Sequence, residues 1–137
     1  MAKEEITPSE WQIMEVLWAS NTPLTSSEVY KRMRGNVDMS QRMVRVLMNR
    51  LNQKDILGYK VDEHDSRVYH YYVLKQKEEC VKDKSRKFVD SYFSGSGTNA
   101  MAALLQSFDL TDEQIKELAE ILEKSKGRGT ESPNWER

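Results

Sequence analysis

The chain has 137 residues, 38% hydrophobic and 31% charged, with a formal net charge of −1, a size and balance that serve one compact core or two small ones. No apolar run approaches the ~20 residues of a membrane span, and the polar opening MAKEEITPSE lacks the apolar centre of a signal peptide, so a cytoplasmic protein with no membrane partner is expected. A single cysteine, Cys80, excludes an intrachain disulfide or thiolate cluster, and two histidines, His64 and His70, are too few for a metal site without carboxylate help.

Capping chemistry marks the helix starts. Thr7-Pro8-Ser9-Glu10 is a capping box with proline at the first helical position. Trp11, Met14, Leu17 and Trp18 follow at spacings of three and four, which predicts a helix over roughly 8–20 with one buried face. Asn21-Thr22-Pro23-Leu24 breaks it. Thr25-Ser26-Ser27-Glu28 is a second box, and its helix carries Val29 and Met33 inward with Tyr30 alongside, closed by Gly35 and Asn36. A third helix is expected from Ser40 to near Asp55, with Val44, Leu47 and Leu51 as core positions.

Tyr59-Lys60-Val61 and Val68-Tyr69-His70-Tyr71-Tyr72-Val73 then read as a strand pair around the polar turn Glu63-His64-Asp65-Ser66. So short a hairpin is marginal alone and needs the helices beneath it. Three helices followed by a hairpin is the order of a winged helix. The remainder is helical: residues 76–93 with Cys80, Phe88, Tyr92 and Phe93, then a break at Ser94-Gly95-Ser96-Gly97. A short helix follows with Met101, Leu104, Leu105 and Phe108. The capping box Thr111-Asp112-Glu113-Gln114 opens a last helix with Ile115, Leu118, Ile121 and Leu122 on one stripe. Residues 127–137 read as a disordered tail. The expected architecture is therefore mainly α with a small β-hairpin wing: a winged helix-turn-helix over 1–75 and a helical dimerisation module over 76–126.

Charge is unevenly spread. Between Lys31 and Lys54 lie seven basic residues and one acid, Asp38, whereas residues 76–137 hold ten basic and twelve acidic residues. A basic stretch inside a near-neutral chain marks a polyanion-binding face, although an isolated charge run is more often a solvated surface. The order of the elements favours the first reading. A helix-turn-helix places its second helix in the major groove, where N-terminal side chains reach base edges and flanking cations hold phosphates. Gln41, Arg42 and Arg45 lie in the first two turns of the third helix, and arginine and glutamine suit bidentate contact with guanine and adenine. Arg50 and Lys54, further along, are expected at phosphate, and Arg67 near the hairpin tip at a neighbouring backbone or minor groove.

Trp11, Trp18, Tyr69 and Tyr71 are expected in the core rather than stacked on single-stranded bases. His64 reads as an exposed turn residue, His70 as an outward strand residue and Cys80 as a buried small hydrophobe. No phosphate-cradling glycine loop and no nucleophile with a plausible base is evident, so neither an enzyme, a metal site nor a cofactor is expected. The second half has too few apolar residues for a separate core. Its stripes on three helices either fold back or pair with a second chain, and pairing suits a DNA reader because two half-site contacts then act together.

Three stretches resemble the penicillinase and methicillin-resistance repressors and their copper-operon relatives (the BlaI/MecI/CopY family), over about residues 6–126. Ser9-Glu10-Trp11-Gln12-Ile13-Met14-Glu15-Val16-Leu17-Trp18 is similar to the family's opening helix, Val44-Arg45-Val46-Leu47-Met48-Asn49-Arg50-Leu51 to its recognition helix, and Arg67-Val68-Tyr69-His70-Tyr71 to its wing. The run from Asn99-Ala100-Met101 through Ile115-Lys116-Glu117-Leu118 to Ile121-Leu122 resembles its dimerisation helices. The resemblance implies a homodimer that sits on an operator dyad and blocks transcription. It also implies recognition around Gln41, Arg42, Met43, Arg45 and Val46, with Arg67 on the wing. Met43 and Val46 stand where the family often has threonines, which changes base preference, and Asp55 replaces a common glycine.

The inducing signals of the family are not carried over. The copper branch's repeated C-terminal Cys-x-Cys pair, whose soft thiolates bind copper(I), has no counterpart, and no Asn-Phe bond exists for the cleavage that inactivates the β-lactam branch. Leu104-Leu105 occupies the corresponding position, and an upstream protease or other signal is left unnamed. The alternatives to a repressor are a protein-interaction module that has lost DNA binding and a ligand sensor in which DNA binding is secondary.

Overall fold

Thr7 opens α1 (Pro8–Trp18) with both halves of its capping box formed: the Glu10 amide donates to the Thr7 hydroxyl at 3.2 Å, and the Thr7 amide donates to Glu10 Oε1 at 2.9 Å. The computed structural model describes residues 5–35 and 38–128. Thr25 opens α2 (Ser26–Met33) with the same reciprocal pair, and Ser40 opens α3 (Gln41–Gln53) by accepting from the Met43 amide at 3.1 Å. Each such cap contributes on the order of 1 kcal/mol and fixes where its helix begins. Gly35 holds a φ of +92° after α2; Asn36, expected to close that helix with it, lies outside the described residues.

Two strands follow, β1 (Leu57–Val61) and β2 (Tyr69–Val73), antiparallel with Leu57 opposite Val73 and Val61 opposite Tyr69. β2 has a second neighbour that the sequence did not announce. Leu24, in the link between α1 and α2, exchanges backbone hydrogen bonds with Tyr71 at 3.0 and 2.8 Å. That bridge ties the hairpin to the helix-turn-helix. Three helices with this hairpin form a winged helix, and the molecule is mainly α-helical.

One core unites these elements. Ile13, Met14 and Leu17 of α1, Val29 and Met33 of α2, and Val44, Leu47, Met48 and Leu51 of α3 are buried together with Leu24, Ile56, Leu57 and Tyr71. Trp11 and Trp18 are only partly buried and meet edge to face at 5.2 Å, with the Trp18 indole donating to the Lys75 carbonyl. Gly58 is buried under the Tyr72 ring, which would lie 2.6 Å from any Cβ placed there.

The chain divides into two compact units, 1–81 and 82–137. The division falls inside α4 (Lys77–Phe93), whose first turns belong to the first unit: Cys80 is buried in its core, and Lys77 pairs with Glu15 at 3.0 Å. In the second unit Ser94 and Gly95 both take positive φ, 50° and 83°. The Ser94–Gly97 break is thus a tight turn, in which Ser96 caps α5 (Gly97–Ser107) by accepting from the Asn99 amide. Thr111 forms the expected capping box with Gln114 and opens α6 (Asp112–Lys124). Gly97 and Ala100 are the buried residues of α5, and α6 has none. Most of the tail read as disordered, from residue 129 onward, lies outside the described residues. Among the described residues no helix is long and apolar enough to cross a membrane.

Candidate nucleic-acid interface

α3 is divided lengthwise. Val44, Leu47, Met48 and Leu51 line its buried face. At about 100° per residue, the line diametrically opposite runs through Arg42, Val46, Asn49 and Gln53, all of them exposed. Arg45 lies on one flank of that line, and Met43 and Arg50 on the other. Gln41 is exposed at the helix start, and no acid occupies the first turn. Among the described residues no acid pairs with Arg42, Arg45 or Arg50. This face therefore presents uncompensated positive charge interleaved with three amides and two apolar side chains.

Arg45 is close enough to the hairpin for its charge to act on Tyr71. Burial pushes the Tyr71 phenol above its ordinary 10.0, Tyr69 and Tyr59 push the same way, and Arg45 opposes them. Tyr71 is in the core, as expected, but Tyr69 is not. It is exposed and stacks on Tyr59 at 4.4 Å and 10°. Leu57 and Tyr71 reach the core from the half of the hairpin nearer its base, whereas Val61 and Tyr69, paired at the end nearer the turn, are exposed.

Two of the cations assigned to DNA, Lys54 to phosphate and Arg67 to a neighbouring backbone or minor groove, have partners within the chain. Lys54, the C-cap of α3, turns its ammonium to Glu10 Oε1 at 2.6 Å and to the Glu5 carbonyl at 2.8 Å. Its side chain is 15% exposed and that of Glu10 1%. Arg67 extends into solvent at 88% exposure, yet its guanidinium lies along the Asp65 carboxylate in a bidentate pair at 3.0 and 3.2 Å. The rest of the hairpin tip is acidic and internally bonded. Asp62 accepts from the His64 and Asp65 amides and pairs with His70 Nε2 at 2.8 Å. His70, alternating with the buried Tyr71, is the outward strand residue expected, and it uses that position to bond Asp62. The hydrogen bond from His70, reinforced by those amides, holds the Asp62 carboxyl below the ordinary 3.8; Arg67 does the same for Asp65.

Asn49, placed by the sequence off the buried face with Arg42 and Arg45 but not among the DNA contacts, shares the outward line with Arg42 and Val46. The signal was present in its spacing of seven from Arg42. The residues assigned to pairing in the second unit are mostly exposed: Phe88, Tyr92, Met101, Leu104, Leu105, Phe108, Ile115, Ile121 and Leu122, with Phe93 and Leu118 half-buried. Among the described residues no group of three or more His, Cys, Asp or Glu side chains forms a metal site.

The sequence model of the family described as penicillinase repressor matches residues 6–124. The methicillin resistance regulatory protein MecI of Staphylococcus aureus is 24% identical over 120 residues, covering 88% of this chain and 94% of its own. The penicillinase repressor of Bacillus licheniformis is 25% identical over 127 residues, covering 93% and 96%. Among solved structures, the YusO protein from Bacillus subtilis aligns with a TM-score of 0.49 at 25% identity, covering 90% of this chain and 77% of that one.

Proposed function

Because the chain belongs to the penicillinase repressor family, we propose that it is a dimeric, sequence-specific transcriptional repressor that binds a pseudo-palindromic operator on double-stranded DNA. The observation that carries this reading is the outward face of α3, where three arginines stand without acidic partners beside Asn49 and Gln41. Surface arginines kept for solubility are commonly interspersed with acids; α3 carries no acid at all. In the proposed division of labour, residues 1–75 read DNA and 76–126 pair two copies. Gln41, Arg42, Met43, Arg45 and Val46 meet the bases, and Arg50 meets phosphate. Lys54 meets phosphate, and Arg67 a neighbouring backbone or minor groove, only if Glu10 and Asp65 release them.

The apolar side chains of α4, α5 and α6 support the dimer. A 56-residue unit with no buried residue in α6 leaves a large apolar surface on a single chain, and such a surface marks an interaction site. A two-fold dimer then matches a two-fold operator.

One observation favours a second reading, a winged-helix protein-interaction module. The wing tip holds Asp62, Glu63 and Asp65, and its one arginine is paired. The deciding experiment is a selection of bound genomic fragments by the full chain at two salt concentrations. A recovered pseudo-palindrome, bound less tightly at higher salt, is the expected outcome. Binding without a shared sequence would put the interaction module first.

A further inference from the structure

Met43 is 49% exposed and Val46 39% exposed on α3. Single exposed apolar residues are ordinary, but these two stand three apart, where helix side chains are neighbours. They lie on a helix whose buried face is already complete and whose other outward residues are all polar: Gln41, Arg42, Arg45, Asn49, Arg50 and Gln53. The core does not use them. On the edges of base pairs in the major groove, the one apolar group larger than a hydrogen is the C5 methyl of thymine; the cytosine C5–H is far smaller, and the nitrogen and oxygen groups are hydrogen-bond donors or acceptors. Val46 has no polar atom and Met43 only a weakly accepting thioether, so both gain little from donors and acceptors and remove most apolar area from water against the methyl.

We propose that Met43 and Val46 form an apolar reader of thymine C5 methyl groups, set between the arginines of α3, so that each operator half-site carries thymine where these side chains meet the groove. The inference rests on the proposed reading of duplex DNA by α3 and adds the chemical group that is read.

The test uses the operator recovered by the selection. Each thymine is replaced in turn by deoxyuridine, which deletes the methyl and keeps the base pair. Affinity of the full chain is expected to fall roughly fourfold at one or two positions per half-site, the scale of one buried methyl. Met43→Ala and Val46→Ala are each expected to bind the thymine operator more weakly and to lose the uracil penalty at their own position, whereas Arg42→Ala keeps it. Both alanine variants remove an exposed side chain, so their melting temperatures stay at the parental value. Uracil without effect at every position, or a penalty that survives in both alanine variants, overturns the thymine reader and leaves the DNA reading intact. A selection that returns no shared sequence overturns both.

Discussion

Asp55 holds a φ of +63° immediately after the C-cap of α3. The Ile56 amide donates to the Leu51 carbonyl and the Asp55 amide to that of Asn52, both at 3.0 Å, which is a Schellman ending with Ile56 and Leu51 buried against it. The geometry is the one glycine adopts freely, and a Cβ there costs about 1 kcal/mol. Asp55→Gly is therefore expected to stabilise the first unit by about 0.5–1 kcal/mol, seen as a higher urea midpoint at unchanged slope; a lower midpoint would mean that the Asp55 side chain holds the helix end. One residue earlier the balance is reversed. Lys54 neutralises a carboxylate that is almost fully buried and whose Oε2 has no hydrogen-bond partner among the described residues. Lys54→Met strands that charge, at a cost of about 3 kcal/mol. Glu10→Gln keeps an oxygen for the Thr7 amide while removing the charge, so the double variant is expected to regain more than half of the loss. Additive losses in denaturant unfolding would show that the pair is not coupled.

At the scale of the element, the wing is stapled by its own acids. Asp62 and Asp65 have pKa values lowered by the groups that bond them, so their contribution is fully present above the ordinary 3.8 and is lost as pH falls through the lowered values. NMR titration is expected to place both carboxyl midpoints below 3.8, and Asp62→Asn to loosen the hairpin at neutral pH without unfolding the helices. Midpoints at or above 3.8 would mean that the tip is not bonded in solution. These pairings explain what was legible in the sequence. Helix starts could be read because capping boxes are local: Thr7, Thr25 and Thr111 each bond a residue three positions on. The outward face of α3 was legible because its period is fixed by the buried residues. The fates of Lys54 and Arg67 were not. Lys54 meets an acid 44 residues away, and Arg67 meets one that equally suits an unpaired turn. Tyr69 misled for a related reason, since strand alternation gives the face but not how far along it the core extends.

For the whole molecule, the internal pairing of Lys54 and Arg67 sets what DNA binding costs in salt. Each cation that displaces counterions from duplex DNA contributes about −0.9 to the slope of log Kobs against log salt. A symmetric dimer doubles each contribution. Arg45→Ala is thus expected to flatten the slope by about 2 if Arg45 meets phosphate, and to weaken binding most at one base pair per half-site if it reads a base. Arg67→Ala is expected to leave the slope unchanged, because Asp65 already neutralises the guanidinium; a flattening near 2 would show that DNA takes Arg67 from Asp65. The doubling itself depends on the second unit. Residues 1–81 carry the complete core of the winged helix, including Cys80, so a chain ending at 81 is expected to fold as a monomer, with about half the full-length salt slope and much weaker operator binding. Burying one side chain such as Ile121 or Leu122 is worth about 1.5–3 kcal/mol, and each is exposed on a single chain. Ile121→Glu in the full chain is therefore expected to shift sedimentation from dimer to monomer and to reproduce the slope of the truncated chain. A variant that sediments as a dimer would move the pairing surface off α6, and a truncated chain that sediments as a dimer would move it into the winged helix.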